Sequence, residues 1–330
     1  MTTIKRLDLL ERLGNYMVSE QEEWAEAKWR ATNENAWFTE EEINYSVESI
    51  VTRFLDKKLL QDWLKRYRLP ATVSKVGIVA AGNIPLVGFH DFLCGFLSGH
   101  QIFLKLSSKD TTLLTHLINK LIEWEPSVAN QIFIADQLKN CEAYIATGSN
   151  NTSRYFEQYF GKFPHIIRKN RTSVAILEGD ETNEELTALA GDIFRYFGLG
   201  CRNVTQVCVP RDYDFSYLLE ILKSEESRML HHKYKNNYDY HLAIYLLNKV
   251  PYLNNGSLLL VENELPFSAV SVLHYRYYDQ LPVIAKSLQD SGSIQTIVGR
   301  GFTPFGQSQK PSLDEYADGV DTMEFLCNLQ

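Results

Sequence analysis

Apolar residues recur every three or four positions at the start of the chain. The runs 7–16 and 47–55 show this spacing, with polar residues between the apolar ones. Because this period matches one face of an α-helix, the pattern predicts a helical lead over about residues 4–66.

After Leu69-Pro70 the pattern changes to short β-branched runs that alternate with helix-length segments such as 111–124 and 183–197. The alternation of strand and helix predicts parallel sheets covered by helices, with ligands at the carboxyl ends of the strands. Strands are predicted at 76–79, 102–106, 132–134, 143–146, 166–167, 173–177, 205–209, 257–261, 269–273 and 294–298. The simplest architecture is a pair of α/β domains with a cleft between them and a soft boundary near residue 165.

Composition narrows the classes of function. The net charge of -8 argues against a general nucleic-acid binder, which needs a basic field. No run reaches the roughly 18 apolar residues of a membrane span, and the start lacks the apolar core of a signal peptide, so we expect a cytoplasmic protein. The five cysteines are scattered without a Cys-x-x-Cys pair, which favours a reducing compartment over disulfides or a metal site.

Two loops that follow predicted strands are candidate ligand sites. In Gly82-Asn83-Ile84-Pro85, small residues let the backbone turn closely, and Asn83 can donate its amide N–H to a ligand. The run Thr147-Gly148-Ser149 precedes a predicted helix, whose first N–H groups can hold a phosphate. Alone, the first run is equally typical of an ordinary turn, and the second is more often an ordinary helix N-cap.

Cys201 is the candidate nucleophile. It follows Gly198-Leu199-Gly200 in a turn, where Arg202 can help to hold the thiolate, and a thiolate attacks a thioester or an aldehyde carbonyl. A lone cysteine is more often structural, and Cys94 and Cys208 are interpreted as core residues. Glu262 and Glu264 lie after a strand, where solvated loop acids are the simpler interpretation, and His231-His232 is interpreted as surface.

Together these runs resemble, in order and spacing, the aldehyde dehydrogenase superfamily, and most closely its acyl-CoA reductase (LuxC-type) branch. Gly82-Asn83-Ile84-Pro85 resembles the family's oxyanion segment, and Gly198-Leu199-Gly200-Cys201 falls where the family has its nucleophile. Lys105-Leu106-Ser107 is similar to the segment that contacts the adenosine end of the cofactor. Thr147-Gly148-Ser149 matches the run that lies against the cofactor phosphates, and Thr303-Pro304-Phe305-Gly306-Gln307 is similar to a late family segment.

The resemblance implies an aldehyde dehydrogenase-like fold with two Rossmann-like parallel-sheet α/β domains. Its parts would be a helical lead with a nucleotide-binding domain (1–165), a catalytic domain that carries Cys201 (166–300), and a C-terminal segment that returns to the cleft (301–330). It also implies reduction by NADPH (NADP) of a fatty acyl-CoA, a CoA thioester of long chain, to the aldehyde through an acyl-enzyme on Cys201. Glu264 either positions the nicotinamide ribose or ionises Cys201.

One departure from the family bears on the substrate. Lys169-Asn170-Arg171-Thr172-Ser173 stands where aldehyde-oxidising members have the base that activates water, so a CoA thiol rather than water is expected to exchange the acyl group. Two alternatives stay open: an NAD(P)-dependent dehydrogenase of a free aldehyde or semialdehyde, and a non-catalytic nucleotide-binding protein. By analogy, a homo-oligomer and an acyl-transferring protein partner are also considered.

Overall fold

The structure, a computed structural model, describes residues 1–329. The chain forms two compact units: unit 1 comprises residues 1–170 and 311–329, and unit 2 comprises Arg171–Lys310. The assignment of nucleotide binding to residues 1–165, catalysis to residues 166–300 and a return to the cleft to residues 301–330 stays a prediction. No helix among residues 1–329 is long and apolar enough to cross a membrane.

Unit 1 begins with the predicted helical lead. It consists of α1 (Thr3–Met17), α2 (Glu22–Glu34), α3 (Glu40–Phe54) and α4 (Lys57–Leu64). The side chains of Thr2, Thr39 and Asp56 accept hydrogen bonds from the first turns of α1, α3 and α4, which is why these helices start where they do. Their apolar faces join one core with the sheet that follows.

The sheet of unit 1 is parallel throughout and has five strands. They are β1 (Lys75–Val79), β2 (Gln101–Lys105), β3 (Ile132–Ile134), β4 (Ala143–Thr147) and β5 (His165–Arg168), in the order β3-β2-β1-β4-β5. The connecting helices are α5 (Phe89–Ser98), α6 (Thr112–Trp124) and α7 (Asn150–Phe160). The chain places strands on one side of β1 and then continues on the other, so the order reverses between β1 and β4.

Unit 2 is a second α/β body with a six-stranded sheet. Its strands are β6 (Thr172–Ile176), β7 (Val204–Pro210), β8 (Leu253–Asn254), β9 (Leu259–Glu262), β10 (Val272–Tyr278) and β11 (Ile294–Val298), in the order β11-β6-β7-β10-β9-β8. All neighbours are parallel except the short edge strand β8, which is antiparallel to β9. The predicted parallel-sheet class is confirmed.

The helices of unit 2 are α8 (Asn183–Phe194), α9 (Phe215–Leu222), α10 (His232–Asn248) and α11 (Leu281–Gln289). The sequence did not predict α10, because its apolar residues do not fall on one face and only Tyr234 and Tyr238 are buried. His232 is exposed, as expected. Cys94 on α5 and Cys208 on β7 are fully buried, which confirms both as core residues.

The last helix, α12 (Thr322–Cys327), belongs to unit 1. Two buried side chains hold it there. Arg168 at the end of β5 donates to Thr322 Oγ1 at 2.7 Å and pairs with Asp91 at 2.5 Å. His100 accepts from the Ser74 N–H at 3.0 Å, and its other nitrogen donates to the Leu326 carbonyl at 2.8 Å. Residues far apart in sequence thus complete one core.

Candidate active site

The candidate nucleotide loops of unit 1 meet at the carboxyl ends of its strands. The loop after β1 carries Asn83, which is exposed, and the loop after β4 contains Gly148 and Ser149. Since β1 and β4 are neighbours and the strand order reverses between them, these two loops flank the point where parallel α/β sheets bind ligands.

Ser149 is the N-cap of α7. Its Oγ accepts from the Thr152 N–H at 3.2 Å and lies 2.9 Å from Thr152 Oγ1. The Gly148 N–H donates to the Arg168 carbonyl at 3.2 Å, and a Cβ on Gly148 would lie 2.9 Å from the Phe156 ring. The capping interpretation is therefore correct for Ser149, and the site has no room for a side chain at Gly148.

The loop after β2 carries Lys105 and Ser107. Lys105 is exposed as the last residue of its strand. A Cβ added to Gly82 would lie 2.6 Å from Ser107 Cβ, so the loops after β1 and β2 touch where Gly82 has no side chain. A close backbone approach, a helix N-terminus and an exposed lysine at one edge of a parallel sheet fit a phosphorylated dinucleotide.

In unit 2, Cys201 follows a strained turn. Tyr196 (φ 53, ψ 28) and Phe197 (φ 56, ψ 26) both adopt the left-handed conformation, and Gly198 continues it at φ 77. Two consecutive non-glycine residues in this region cost of order 1 to 3 kcal/mol each. Such a turn persists only where surrounding contacts fix it, and such strain is concentrated at functional sites.

Asn203 supplies those contacts. It is fully buried, and its Oδ1 accepts from the Gly200 N–H at 2.7 Å. Its Nδ2 donates to three carbonyls at the end of α8: Asp192 at 3.0 Å, Ile193 at 3.3 Å and Arg195 at 2.8 Å. One side chain therefore closes the end of the helix and fixes the residue before Cys201.

Two further side chains hold the same turn. Ser173 on β6 donates from Oγ to the Cys201 carbonyl at 3.1 Å, and Arg202 donates to Thr296 Oγ1 on β11 at 3.2 Å. The Cys201 side chain itself is partly exposed. Strands β6 and β11 thus fix the backbone on which the thiol stands.

Glu264 lies in a loop that three residues of β7 and β10 hold. Gln206 donates to the Asn263 carbonyl at 2.7 Å, Thr205 to the Pro266 carbonyl at 2.5 Å, and His274 to the Leu265 carbonyl at 2.8 Å. Burial lowers the pKa of His274, which keeps the ring neutral at pH 7.

The carboxylate of Glu264 is exposed. It accepts from Arg276 Nη1 at 3.4 Å, and Arg276 Nε lies 3.4 Å from Cys208 Sγ. The exposed fraction of the Glu264 side chain is 83%. The loop backbone is therefore fixed, whereas the carboxylate can reach a bound group.

Cys201 precedes β7 and so lies at the amino end of the second sheet, whereas the Glu264 loop follows the carboxyl end of β9 and reaches back to Thr205. Cys201 precedes Val204, the first residue of β7, and Thr205, the second, bonds the Glu264 loop. This is the amino end of β7, whereas the sequence placed ligands at carboxyl ends. The general rule for parallel α/β sheets describes the nucleotide loops of unit 1 and does not describe the nucleophile turn.

The sequence reasoning assigned no role to Asn203 or Asp192. Asp192 accepts from the Gly306 N–H at 2.6 Å and from the Ser308 N–H at 3.0 Å, so it ties the late Pro304-Phe305-Gly306 run to α8. Burial raises its pKa. The sequence signals for them were an amide two residues after the candidate nucleophile and an acid in the otherwise apolar last turns of α8. Among residues 1–329, no three His, Cys, Asp or Glu side chains form a metal-ligand group.

Comparisons with solved structures show the fold. Aldehyde dehydrogenase 21 from Physcomitrella patens, in complex with the reaction product succinate, aligns with a TM-score of 0.63 and 14% identity over 91% of this chain and 74% of that chain. The indole-3-acetaldehyde dehydrogenase AldA of P. syringae, in complex with NAD+ and IAA, aligns with a TM-score of 0.65 and 12% identity over 90% of this chain and 72% of that chain. An E. coli NADP dependent enzyme aligns with a TM-score of 0.65 and 15% identity over 90% of this chain and 73% of that chain.

At the level of sequence, no curated protein matched the chain. The family model of the acyl-CoA reductases (LuxC) matches residues 10–221, which is more than half of the chain and includes Asn83, Thr147-Gly148-Ser149 and Cys201. The chain therefore belongs to the acyl-CoA reductase (LuxC) family and is an oxidoreductase of aldehyde and acyl-CoA chemistry with the aldehyde dehydrogenase fold.

Proposed function

We propose that the protein reduces a long-chain fatty acyl-CoA to the aldehyde with NADPH, through a thioester on Cys201. The observation that carries this proposal is the turn before Cys201. Three consecutive left-handed residues and the four hydrogen bonds of Asn203, three donated and one accepted, fix the backbone around one partly exposed thiol. A merely structural cysteine needs no such strained support.

The first half of the reaction is acyl transfer. The Cys201 thiolate attacks the thioester carbonyl, a new C–S bond forms, and the bond to CoA breaks so that CoA leaves as a thiolate. We assign the Asn83 amide and the Cys201 backbone N–H as donors to the oxyanion, since donors fixed before the reaction stabilise the charge that develops.

In the second half, a bound nicotinamide would supply the hydride that reduces the acyl group to the aldehyde level. The C–S bond to Cys201 then breaks, which releases the aldehyde and restores the Cys201 thiolate. We assign Glu264 to this half, either as a contact of the nicotinamide ribose or as the base for Cys201. Its exposed carboxylate on a fixed loop supports either role.

The preference for NADPH rests on the loop after β2. In Rossmann-like folds an acid near this end binds the ribose 2′-hydroxyl of NAD, whereas a cation accommodates the 2′-phosphate of NADP. Here Lys105 and Lys109 are both exposed, and the first acid of the loop, Asp110, is buried and bonded to Leu86. Thr147, Gly148 and Ser149 are assigned to the phosphates and Ser107 to the adenosine end.

The preference for a CoA thioester rests on Ser173. It belongs to the segment where aldehyde-oxidising relatives have a base that activates water, and here its hydroxyl donates to the Cys201 carbonyl instead. A residue that holds the nucleophile turn does not hydrolyse the acyl-enzyme, which favours exchange with a thiol. Exposed Leu265, next to Glu264, offers apolar surface for a long acyl chain.

The test follows absorbance at 340 nm with NADPH and palmitoyl-CoA, for the wild type and Cys201→Ala. Loss of NADPH that requires palmitoyl-CoA and is absent in the variant is the expected result. Cys208→Ala, which removes a fully buried thiol, is the matched control and is expected to remain active. Turnover of free hexadecanal with NADP but none with palmitoyl-CoA would instead identify a dehydrogenase.

A further inference from the structure

Asp110 connects two loops of unit 1 that the proposed function uses separately. It lies in the loop after β2, beyond Lys105 and Ser107, and its Oδ2 accepts from the Leu86 N–H at 2.8 Å. Leu86 belongs to the loop after β1, three residues beyond Asn83. The carboxyl group is buried, with Asp110 only 6% exposed.

The loop after β1 depends on this contact for its shape. Leu86 has a left-handed backbone at φ 57, a conformation that is unfavourable for a leucine. On its other side, Ser46 of α3 donates to the Pro85 carbonyl at 2.7 Å. Two anchors at adjacent residues, one from α3 and one from Asp110, therefore fix the loop that ends β1 and carries Asn83.

The position of Asp110 is fixed by contacts within and around the loop after β2. Its N–H donates to the Ser107 carbonyl at 3.0 Å, and its Cβ would lie 3.3 Å from a Cβ at Gly82. From α2, Asn35 donates to the Lys109 carbonyl at 3.2 Å. A displacement of the loop after β2 is therefore transmitted to Leu86 through one short side chain.

The buried carboxyl group of Asp110 destabilises the folded state by more than its one hydrogen bond to Leu86 stabilises it. Its second oxygen, Oδ1, is buried and accepts no hydrogen bond from any residue in 1–329. Burial raises the pKa of Asp110 to about 7, and Glu34 nearby adds to this shift. A buried polar atom without a partner destabilises the folded state, so stability alone does not explain an acid at this position.

We propose that Asp110 is a positioning residue that couples the adenosine-side loop after β2 to the Asn83 loop after β1, and so sets the oxyanion donor for acyl transfer. This rests on the proposed function, because it takes Asn83 as that donor. Asp110 acts through the Leu86 N–H.

The experiment measures acylation of Cys201 separately from cofactor binding. Full-length enzyme is mixed with palmitoyl-CoA without NADPH, and the mass increase of the acyl-enzyme is followed with time by mass spectrometry of the intact protein. NADPH binding is measured independently by fluorescence titration. Asp110→Ala keeps the Cβ near Gly82 and removes only the carboxylate, so it tests the bond to Leu86.

Asp110→Ala is expected to slow acylation tenfold or more and to change the NADPH dissociation constant less than threefold. Asp110→Asn, whose amide oxygen accepts the same N–H, is expected to restore acylation to within threefold of the wild type. The matched control is Glu34→Ala, which removes the carboxylate that accepts from the Thr111 and Thr112 N–H groups at the start of α6 and is not bonded to Leu86. It is expected to acylate at the wild-type rate.

Three results would overturn the proposal: acylation of Asp110→Ala at the wild-type rate, no rescue by Asp110→Asn in a protein that melts as the wild type does, or equal slowing by Glu34→Ala. Failure of the wild type itself to form an acyl-enzyme would instead contradict the proposed function. The two failures are therefore distinguishable.

Discussion

The nucleotide loops of unit 1 and the nucleophile of unit 2 lie at opposite ends of the parallel strands that carry them. In unit 1, Asn83 and Gly148 follow the carboxyl ends of β1 and β4, and Lys105 is the last residue of β2. In unit 2, Cys201 precedes β7 and lies at its amino end. The same class of sheet thus serves two purposes, and sheet class alone does not locate a nucleophile.

The two regions also differ in how they are fixed. The nucleophile turn is strained, and most of its hydrogen bonds are made by one buried amide, Asn203, with Ser173 and Arg202 adding one each. The nucleotide loops are more exposed, and they depend on contacts between loops, such as Gly82 with Ser107 and Asp110 with Leu86. We therefore expect a single substitution at Asn203 to disrupt the whole nucleophile turn. Single substitutions in the nucleotide loops are expected to reduce cofactor binding or acylation only partly.

The largest effect is expected from Asn203→Ala. It leaves the Gly200 N–H and the carbonyls at the end of α8 without their partner, which should cost about 3 kcal/mol and abolish acylation of Cys201. All five tryptophans lie in residues 24–124, so tryptophan fluorescence reports on unit 1. Urea unfolding followed by circular dichroism should therefore show an early transition that fluorescence lacks. Coincident, unshifted transitions would show that the turn does not depend on Asn203.

A pH effect of about 2 kcal/mol is expected from Asp110. Its pKa is raised to about 7 in the folded state, from 3.8 when exposed. The folded state therefore keeps a proton that the unfolded state has lost, and stability falls as pH rises from about 4 through 7. Asp110→Asn lacks this titration, so between pH 5 and pH 8 it should lose less stability than the wild type. Urea unfolding followed by tryptophan fluorescence measures the free energy of unfolding of both proteins at pH 5 and pH 8. An equal loss of stability in the wild type and in Asp110→Asn would contradict the prediction.

Gly82→Ala is expected to weaken NADPH binding about tenfold, which is about 1.4 kcal/mol. The new Cβ would lie 2.5 Å from Ser107 Oγ, so the two loops must separate. The double variant Gly82→Ala with Ser107→Gly removes the clash and should recover part of the affinity, as a fluorescence titration can measure. A single variant that binds as the wild type does would show that the contact between the loops is not needed.

The smallest effect is expected from Ser149→Ala. The loss of the N-cap of α7 should lower the stability of unit 1 by about 1 kcal/mol. Tryptophan fluorescence should show this as a lower urea midpoint of unfolding. Because an alanine keeps the backbone N–H groups of the helix start, NADPH affinity should fall only a few-fold. A loss of a hundredfold would mean that the hydroxyl itself holds the phosphate.

Secondary structure was largely predictable, because its signals are local. The strands 132–134 and 294–298 were predicted with the bounds observed, and the strand predicted at 76–79 begins one residue earlier, at Lys75. The 17-residue helix α10 was missed because its apolar residues are distributed around the axis. Within the predicted helix 183–197, α8 ends at Phe194, and Tyr196 and Phe197 have left-handed conformations that no residue pattern indicated.

The sequence by itself determined the fold class, the family and the identity of Cys201 as the candidate nucleophile, since each depends on residue type, spacing and order along the chain. Only the tertiary structure decided that Cys201 lies at the amino end of its strand, that Asn203 fixes it, and that Asp110 joins two loops of unit 1. These are contacts between backbone groups and single polar side chains brought together by packing. Hydrophobic periodicity does not record such contacts, because it reports which face of an element is buried and not which polar atoms meet there.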